Sequence, residues 1–182
     1  MESKVMKPTF KEITEFFDRE GASRVSHTEK TYLAHAIGVY NDLKRWGFDE
    51  EIAQVGLFHS IYGTQIFQGF TLPLERRDDV RALIGERAER LAYLNCALDR
   101  PSFDNQVTCC EATYFIIDRF SEETVEVDEE TFTDLVNVHL CDWLEQVGRS
   151  RKWDYRRQAY GDMARRLGGI ALESFERAYA GH

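Results

Sequence analysis

Three stretches of the chain have the apolar spacing of buried helices and carry ionisable side chains on the apolar face. In one of them Ile52 and His59, at i and i+7, share a helical face. His35 lies at the edge of the apolar stripe of an earlier stretch, and His139 and Asp142 lie on the inward face of a later one. A buried polar group without a partner costs about 1–3 kcal/mol, so we expect the three helices to meet around these side chains.

Metal binding and ordinary core packing are the two interpretations of these residues. A lone inward histidine is more often a hydrogen-bonded core residue than a ligand, whereas an inward aspartate is costly to bury without a partner. Asp142 therefore contributes most to the metal hypothesis. Together, His35, His59 and Asp142 offer the nitrogen and oxygen donors that suit one divalent ion, such as Zn, Mn or Fe. Such an ion would activate water for hydrolysis near neutral pH.

The remaining pattern predicts one mainly all-α domain over residues 1–182. Turn and capping residues separate the expected helices, and a small β-hairpin is expected near 114–127. A loop over 63–74 could cover a pocket, and residues 99–101 are expected to close the first half. Helices are predicted at 10–20 after the cap Thr9, from the cap Thr28 to 46, at 50–59 after Asp49, at 76–84 and 86–98, from the cap Asp128 through Asp142, at 153–167, and at 169–179.

Charge and composition limit the classes of partner. Acidic residues outnumber basic ones by 32 to 23, which gives a formal net charge of −9. This balance argues against nucleic acid or an anionic membrane as the main partner, although a local basic pocket could bind a small anionic substrate. No apolar run could span a bilayer, no signal-peptide core precedes residue 8, and the four cysteines form no CxxC pair. A cytoplasmic protein with reduced thiols is expected.

Four segments resemble, in order, the motifs of the HD superfamily of metal-dependent phosphohydrolases. The resemblance is greatest to the RelA/SpoT-type hydrolases of guanosine pyrophosphates, and it spans Ser26 to Gln146. The segments are Tyr32–Val39, Gly56–Ser60, Ile84–Ala92 and Val138–Trp143, which resemble Tyr-Ile-x-His-Pro-x-x-Val, Ala-Leu-Leu-His-Asp, Phe-Gly-x-x-Val-x-x-Leu-Val and Val-Lys-Leu-Ala-Asp-Lys. The resemblance implies an HD-like helical bundle and supports a metal site, or the remains of one, at His35, His59 and Asp142.

The chain departs from that pattern at the residues that define it. The His-Asp pair of the family is His59-Ser60 here, and Tyr62-Gly63-Thr64 replaces the Glu-Asp-Thr that follows. The bridging carboxylate and the two carboxylates that position the attacking water in the family are therefore missing. A mononuclear centre is favoured, and guanosine pyrophosphate hydrolysis by the family's mechanism is not implied.

Further residues could complete the site. His27 and His139 are candidate additional ligands or orienting partners, although a surface position for His27 is an equal alternative. Ser60 is expected to donate a hydrogen bond. The candidate substrate contacts are Tyr62, Thr64, Arg149 and Arg156.

Three functions follow from these residues. The first is a metal-dependent hydrolase that acts on a small phosphorylated or nucleotide-like molecule. The second is a degenerate, non-catalytic HD-like domain that binds a small molecule or a protein partner. The third is an iron-dependent oxygenase, because some HD proteins use iron and O₂.

Overall fold

The computed structural model describes residues 8–27 and 30–181, without the side chains of Ser23 and His27. Within these residues the chain forms nine α-helices and two short antiparallel hairpins. The mainly all-α fold with a small hairpin is confirmed. The helices are α1 (Phe10–Arg19), α2 (Tyr32–Arg45), α3 (Glu50–Phe58), α4 (Arg77–Ile84), α5 (Glu86–Ala97), α6 (Arg100–Val107), α7 (Glu129–Val147), α8 (Arg157–Leu167) and α9 (Gly169–Tyr179); the strands are β1 (Ser26–His27), β2 (Lys30–Thr31), β3 (Thr113–Ile117) and β4 (Thr124–Asp128).

Side-chain caps start the helices that carry the candidate site. Asp49 accepts a hydrogen bond from the Ile52 amide at the start of α3, and Asp128 caps α7 in the same way. Both caps were predicted. The cap of α2 is Thr31, whose hydroxyl accepts from the Ala34 amide. The predicted cap, Thr28, lies outside the described residues.

One additional helix and one helix boundary differ from the prediction for identifiable reasons. Helix α6 was not predicted, but Asp99 caps it and Pro101 lies in its first turn, where proline loses no hydrogen bond. Helix α8 begins at Arg157 rather than at Trp153. Arg156 just before it has a φ of 48°, a left-handed conformation that an α-helix cannot contain.

The hairpin of β3 and β4 covers one side of α7. Tyr114 pairs with Val127 across the hairpin, and both side chains are buried. The Tyr114 ring stacks on Phe132 of α7, with ring centroids 4.0 Å apart. The outward residues Phe115 and Ile117 are exposed. The predicted hairpin is thus confirmed, and it anchors the first half of α7.

Helix α7 runs through the centre of the protein. Every residue from Leu135 to Trp143 is buried, because α2, α3, α5, α8 and α9 pack around it. None of the helices in the described ranges is long and apolar enough to cross a membrane. The central position of α7 brings its polar residues against α2 and α3.

Candidate metal centre

His35, His59 and Asp142 come together from three elements. His35 lies on α2, His59 follows the last residue of α3, and Asp142 lies on α7. The Asp142 Oδ1 atom is 2.9 Å from His35 Nε2 and 3.4 Å from His59 Nε2. All three residues are buried, and one ligand atom from each lies within 4.8 Å of the others. The cluster could therefore hold a metal ion.

The His59 ring directs a lone pair towards Asp142. Its Nδ1 atom is 2.7 Å from the Gly56 carbonyl oxygen, which can only accept a hydrogen bond, so Nδ1 carries the proton. Burial lowers the pKa of His59, which favours the neutral ring. The unprotonated Nε2 then faces the Asp142 carboxylate. Two electron-rich atoms in this arrangement are stabilised by a cation, and this observation fits a metal ion.

His35 is held between two carboxylates. Its Nδ1 atom is 2.5 Å from Glu145 Oε2, and its Nε2 atom faces Asp142. Burial opposes a charge on the ring, but the hydrogen bonds to Asp142 and Glu145 outweigh burial and raise the pKa of His35 to about 9. Without a metal ion, a proton on Nε2 thus occupies the position that the metal ion would take. Glu145 would keep its bond to Nδ1 in either state, as orienting carboxylates of metal-bound histidines do.

The two carboxylates stay ionised because cationic and imidazole groups surround them. Burial acts to raise the pKa of Asp142, but the hydrogen bond from the protonated His35 ring holds it well below its usual range. Glu145 bonds to Lys30 Nζ and Arg149 Nη2, each at 2.7 Å. These bonds and the bond to His35 outweigh burial and lower the pKa of Glu145 to about 2.

Gly38 makes room for the Glu145 side chain. A Cβ atom at Gly38 would lie 2.6 Å from Glu145 Oε1 and 2.8 Å from its Cδ and Cγ atoms. Any larger residue would therefore push Glu145 away from its present position. The close approach of α2 and α7 at this glycine allows Glu145 to reach His35.

His139 lies behind the cluster and supports it indirectly. Its Nδ1 atom is 3.0 Å from Asn95 Oδ1, and the Asn95 amide donates to the His59 carbonyl oxygen at 2.7 Å. Its Nε2 atom accepts from Arg156 Nη1 at 3.0 Å. Both ring nitrogens are thus engaged by protein groups. Burial, followed by the charge of Arg156, holds the pKa of His139 well below 6.5.

The other predicted site residues take different places. Ser60 lines the cavity next to the cluster and donates to the Tyr32 hydroxyl at 3.4 Å. Thr64 also lines this cavity, and its hydroxyl accepts from the Phe67 amide. The side chain of His27 lies outside the described part of the chain. The remaining three predicted contacts bond to protein groups: Tyr62 to Glu89, Arg149 to Glu145, and Arg156 to Asp104 and His139.

A cavity of about 310 Å³ opens next to His59 and Asp142. The cations in its wall are Arg100 and Lys152, and aromatic walls come from Phe67, Trp143, Tyr155 and Tyr160. Sequence reasoning did not single out Arg100 or Lys152. It also missed Glu145 and Asn95, although Glu145 lies one helical turn after Asp142 and its spacing could have indicated it.

These features define a mainly helical protein with a buried His-His-Asp cluster that could hold a metal ion. Residues 16–100 match DUF6817, a family of domains of unknown function. This match contains His35 and His59 and ends before Asp142. Comparisons with curated proteins and with solved structures gave no match.

Proposed function

We propose that this protein is an HD-like, metal-dependent hydrolase of a small phosphorylated or nucleotide-like molecule. One divalent ion, Zn, Mn or Fe, would be held by His35 Nε2, His59 Nε2 and an Asp142 oxygen. The observation that carries the proposal is the unprotonated His59 Nε2 facing a buried carboxylate, 3.4 Å away, at the wall of a cavity. The resemblance of four ordered segments to HD phosphohydrolases supports the same function.

The residues around the cluster suit the hydrolysis of an anionic molecule. A bound divalent ion would supply Lewis-acid activation of water and of the scissile group. Arg100 and Lys152 place positive charge in the cavity wall, and Trp143 and Tyr160 provide apolar surface that limits access of bulk water. Gln146 donates to Asp142 Oδ1 at 3.0 Å and so fixes the carboxylate.

Metal analysis of two matched variants tests the proposal. We expect protein purified without chelator to contain about one metal ion per chain, as one mononuclear site requires. Asp142→Asn should lose the ion because the amide removes the anionic ligand. Asp134→Asn is the control, since Asp134 lies on the same helix and pairs with Arg87 at 2.7 Å, away from the cluster. Absence of metal from the native protein after reconstitution would refute the proposal.

A second candidate function is binding without turnover. Glu145 and Asp142 already hold both nitrogens of His35, so a protonated His35 balances charge without a metal. Ser60, in place of the family aspartate, also favours this candidate. It predicts a metal-free, folded protein that ligands stabilise by mass action. A coloured, redox-active centre would instead favour the iron-dependent oxygenase.

A further inference from the structure

We infer that Arg100, assisted by Lys152, recognises the anionic group of the ligand. Two cavities meet at Arg100: the one next to the metal cluster, of about 310 Å³, and an outer one of about 520 Å³. Their shared wall consists of Ile66, Arg100 and Tyr155. Because Arg100 lines both cavities, a ligand bound in either one lies next to this residue. This inference rests on the proposed function, because both take the same cavity as the ligand site.

Arg100 and Lys152 differ from the other cations near the site in their charge balance. Arg149 pairs with Glu145, Arg156 with Asp104, and Arg77 with Glu89. Within residues 8–27 and 30–181, no ion pair joins Arg100 or Lys152 to a carboxylate, although the whole chain carries a net charge of −9. Positive charge is therefore left for a ligand at the cavity wall.

The Arg100 side chain is held in place but keeps donors for a ligand. It is the first residue of α6, and its backbone amide donates to Gln65 Oε1 at 3.1 Å. One side-chain nitrogen, Nη1, donates to the Tyr155 hydroxyl at 3.0 Å. A guanidinium has five N–H donors in a planar fork. The geometry leaves it able to bind a phosphate or carboxylate with two parallel hydrogen bonds.

Asp142 is the single carboxylate that contributes to the wall of the inner cavity among the described residues. It faces His35 and His59, and it accepts a hydrogen bond from the protonated His35 ring. The remaining polar groups in the wall are mainly neutral hydroxyl and amide side chains, such as those of Ser60, Thr64 and Gln146. The balance of the wall therefore favours an anion over a cation or a neutral molecule.

Titration of the metal-free protein with inorganic pyrophosphate tests the inference. The protein is treated with chelator, and the chelator is removed, so that binding reports the protein cations alone. We expect Arg100→Gln to weaken pyrophosphate binding about tenfold or more, as loss of a charge-assisted bidentate contact does. Lys152→Gln should weaken binding less, because a flexible ammonium lacks the planar fork. Arg100→Lys should restore part of the affinity.

Arg151→Gln is the matched control. It removes the same charge from an exposed neighbour of Lys152 that does not contribute to the wall of either cavity. Its affinity should stay within about twofold of the native value. Equal affinities for Arg100→Gln and Arg151→Gln would overturn the inference, and so would a native protein that binds no pyrophosphate. Because no metal is present, this result is independent of the metal analysis that tests the proposed function.

Discussion

At the scale of single residues, one oxygen atom of Asp142 organises the candidate site. Oδ1 is close to His35 Nε2 at 2.9 Å, Gln146 Nε2 at 3.0 Å and His59 Nε2 at 3.4 Å. The burial cost of a carboxylate pointed to Asp142 from the sequence, and it lies within the cluster. The same reasoning could not indicate which ring nitrogen of each histidine is protonated. The Gly56 carbonyl oxygen decides this for His59, and Glu145 helps to decide it for His35.

Glu145→Gln tests the orienting role of Glu145. We expect the affinity for a divalent metal to fall about 10–100-fold, because a neutral amide no longer polarises the His35 Nδ1 proton. Glu176→Gln, on the exposed surface of α9, is the control and should leave the affinity unchanged. Competition with a coloured zinc chelator measures both values. Equal affinities for the two variants would show that Glu145 does not support the metal.

The arginines near the site differ in the groups that they contact. Arg149 and Arg156 were predicted to contact substrate because they follow the Asp142 helix. Their guanidinium groups pair with Glu145 and Asp104, and their contact with substrate stays a prediction. Arg100, which precedes that helix in sequence by a whole hairpin, lines the cavity. The position of a basic residue in the sequence does not reveal which group it contacts, because the packing of the helices determines that contact.

At the scale of elements, the crossing of α2 and α3 sets the distance between His35 and His59. Gly56 lies at this crossing, and a Cβ atom there would be 3.0 Å from the Tyr40 backbone nitrogen and 2.9 Å from Leu43 Cδ1. The two imidazole centroids are consequently 5.0 Å apart, with perpendicular rings. Capping predicted that both helices exist, but not how closely they approach.

Gly56→Ala tests the crossing. Alanine favours a helix by up to about 1 kcal/mol over glycine, but the contact with the α2 backbone cannot relax by a side-chain rotation. We expect a net loss of about 1–3 kcal/mol in the free energy of unfolding, measured with denaturant. Gly148→Ala is the control, because nothing lies within 4 Å of its added Cβ. A Gly56→Ala protein as stable as the control would contradict a close crossing.

Most elements that depend on a single local signal were predicted, with α6 and its Asp99 cap as the exception, whereas a boundary held by distant groups was not. The Thr9 capping box and the Asp49 and Asp128 caps act within one turn. The start of α8, by contrast, depends on Arg156. Asp104 and His139, on two other helices, bind this arginine in its left-handed conformation. No nearby residue signals that boundary.

At the scale of the whole molecule, a chain of hydrogen bonds joins five segments behind the cluster. It runs from the His59 carbonyl through Asn95, His139 and Arg156 to Asp104. Because each group is held by the next, the chain fixes the backbone that carries His59. It also requires His139 to remain neutral, since its Nε2 accepts from a guanidinium.

The pH dependence of stability tests this network in metal-free protein. The pKa of His139 is lower in the folded state than its usual 6.5, so the unfolded state binds the extra proton. Stability due to neutral His139 is therefore present above pH 6.5 and falls as the pH drops below that value. The limiting slope is about 1.4 kcal/mol per pH unit for one group. Chemical denaturation between about pH 5 and pH 8 should show a shallower slope for His139→Gln than for the native protein.

Asn137→Ala separates proton linkage from simple destabilisation. Asn137 lies on α7 and donates to the Thr133 carbonyl oxygen, but it does not titrate. Its loss should lower stability by a similar amount at every pH. Equal pH slopes for the native, His139→Gln and Asn137→Ala proteins would mean that His139 does not titrate with unfolding.

The sequence by itself determined the helical character, the hairpin, most caps and the inward placement of His35, His59 and Asp142, because local hydrogen bonds and apolar spacing decide these features. Only the tertiary structure decided which side chains meet. The link from Glu145 to His35, the path through Asn95 and the position of Arg100 at the cavity join residues far apart in the chain. Such contacts depend on how closely the helices approach each other, which Gly38 and Gly56 set here. Neither hydrophobic periodicity nor charge pattern specifies those distances, because they depend on the packing of the whole core.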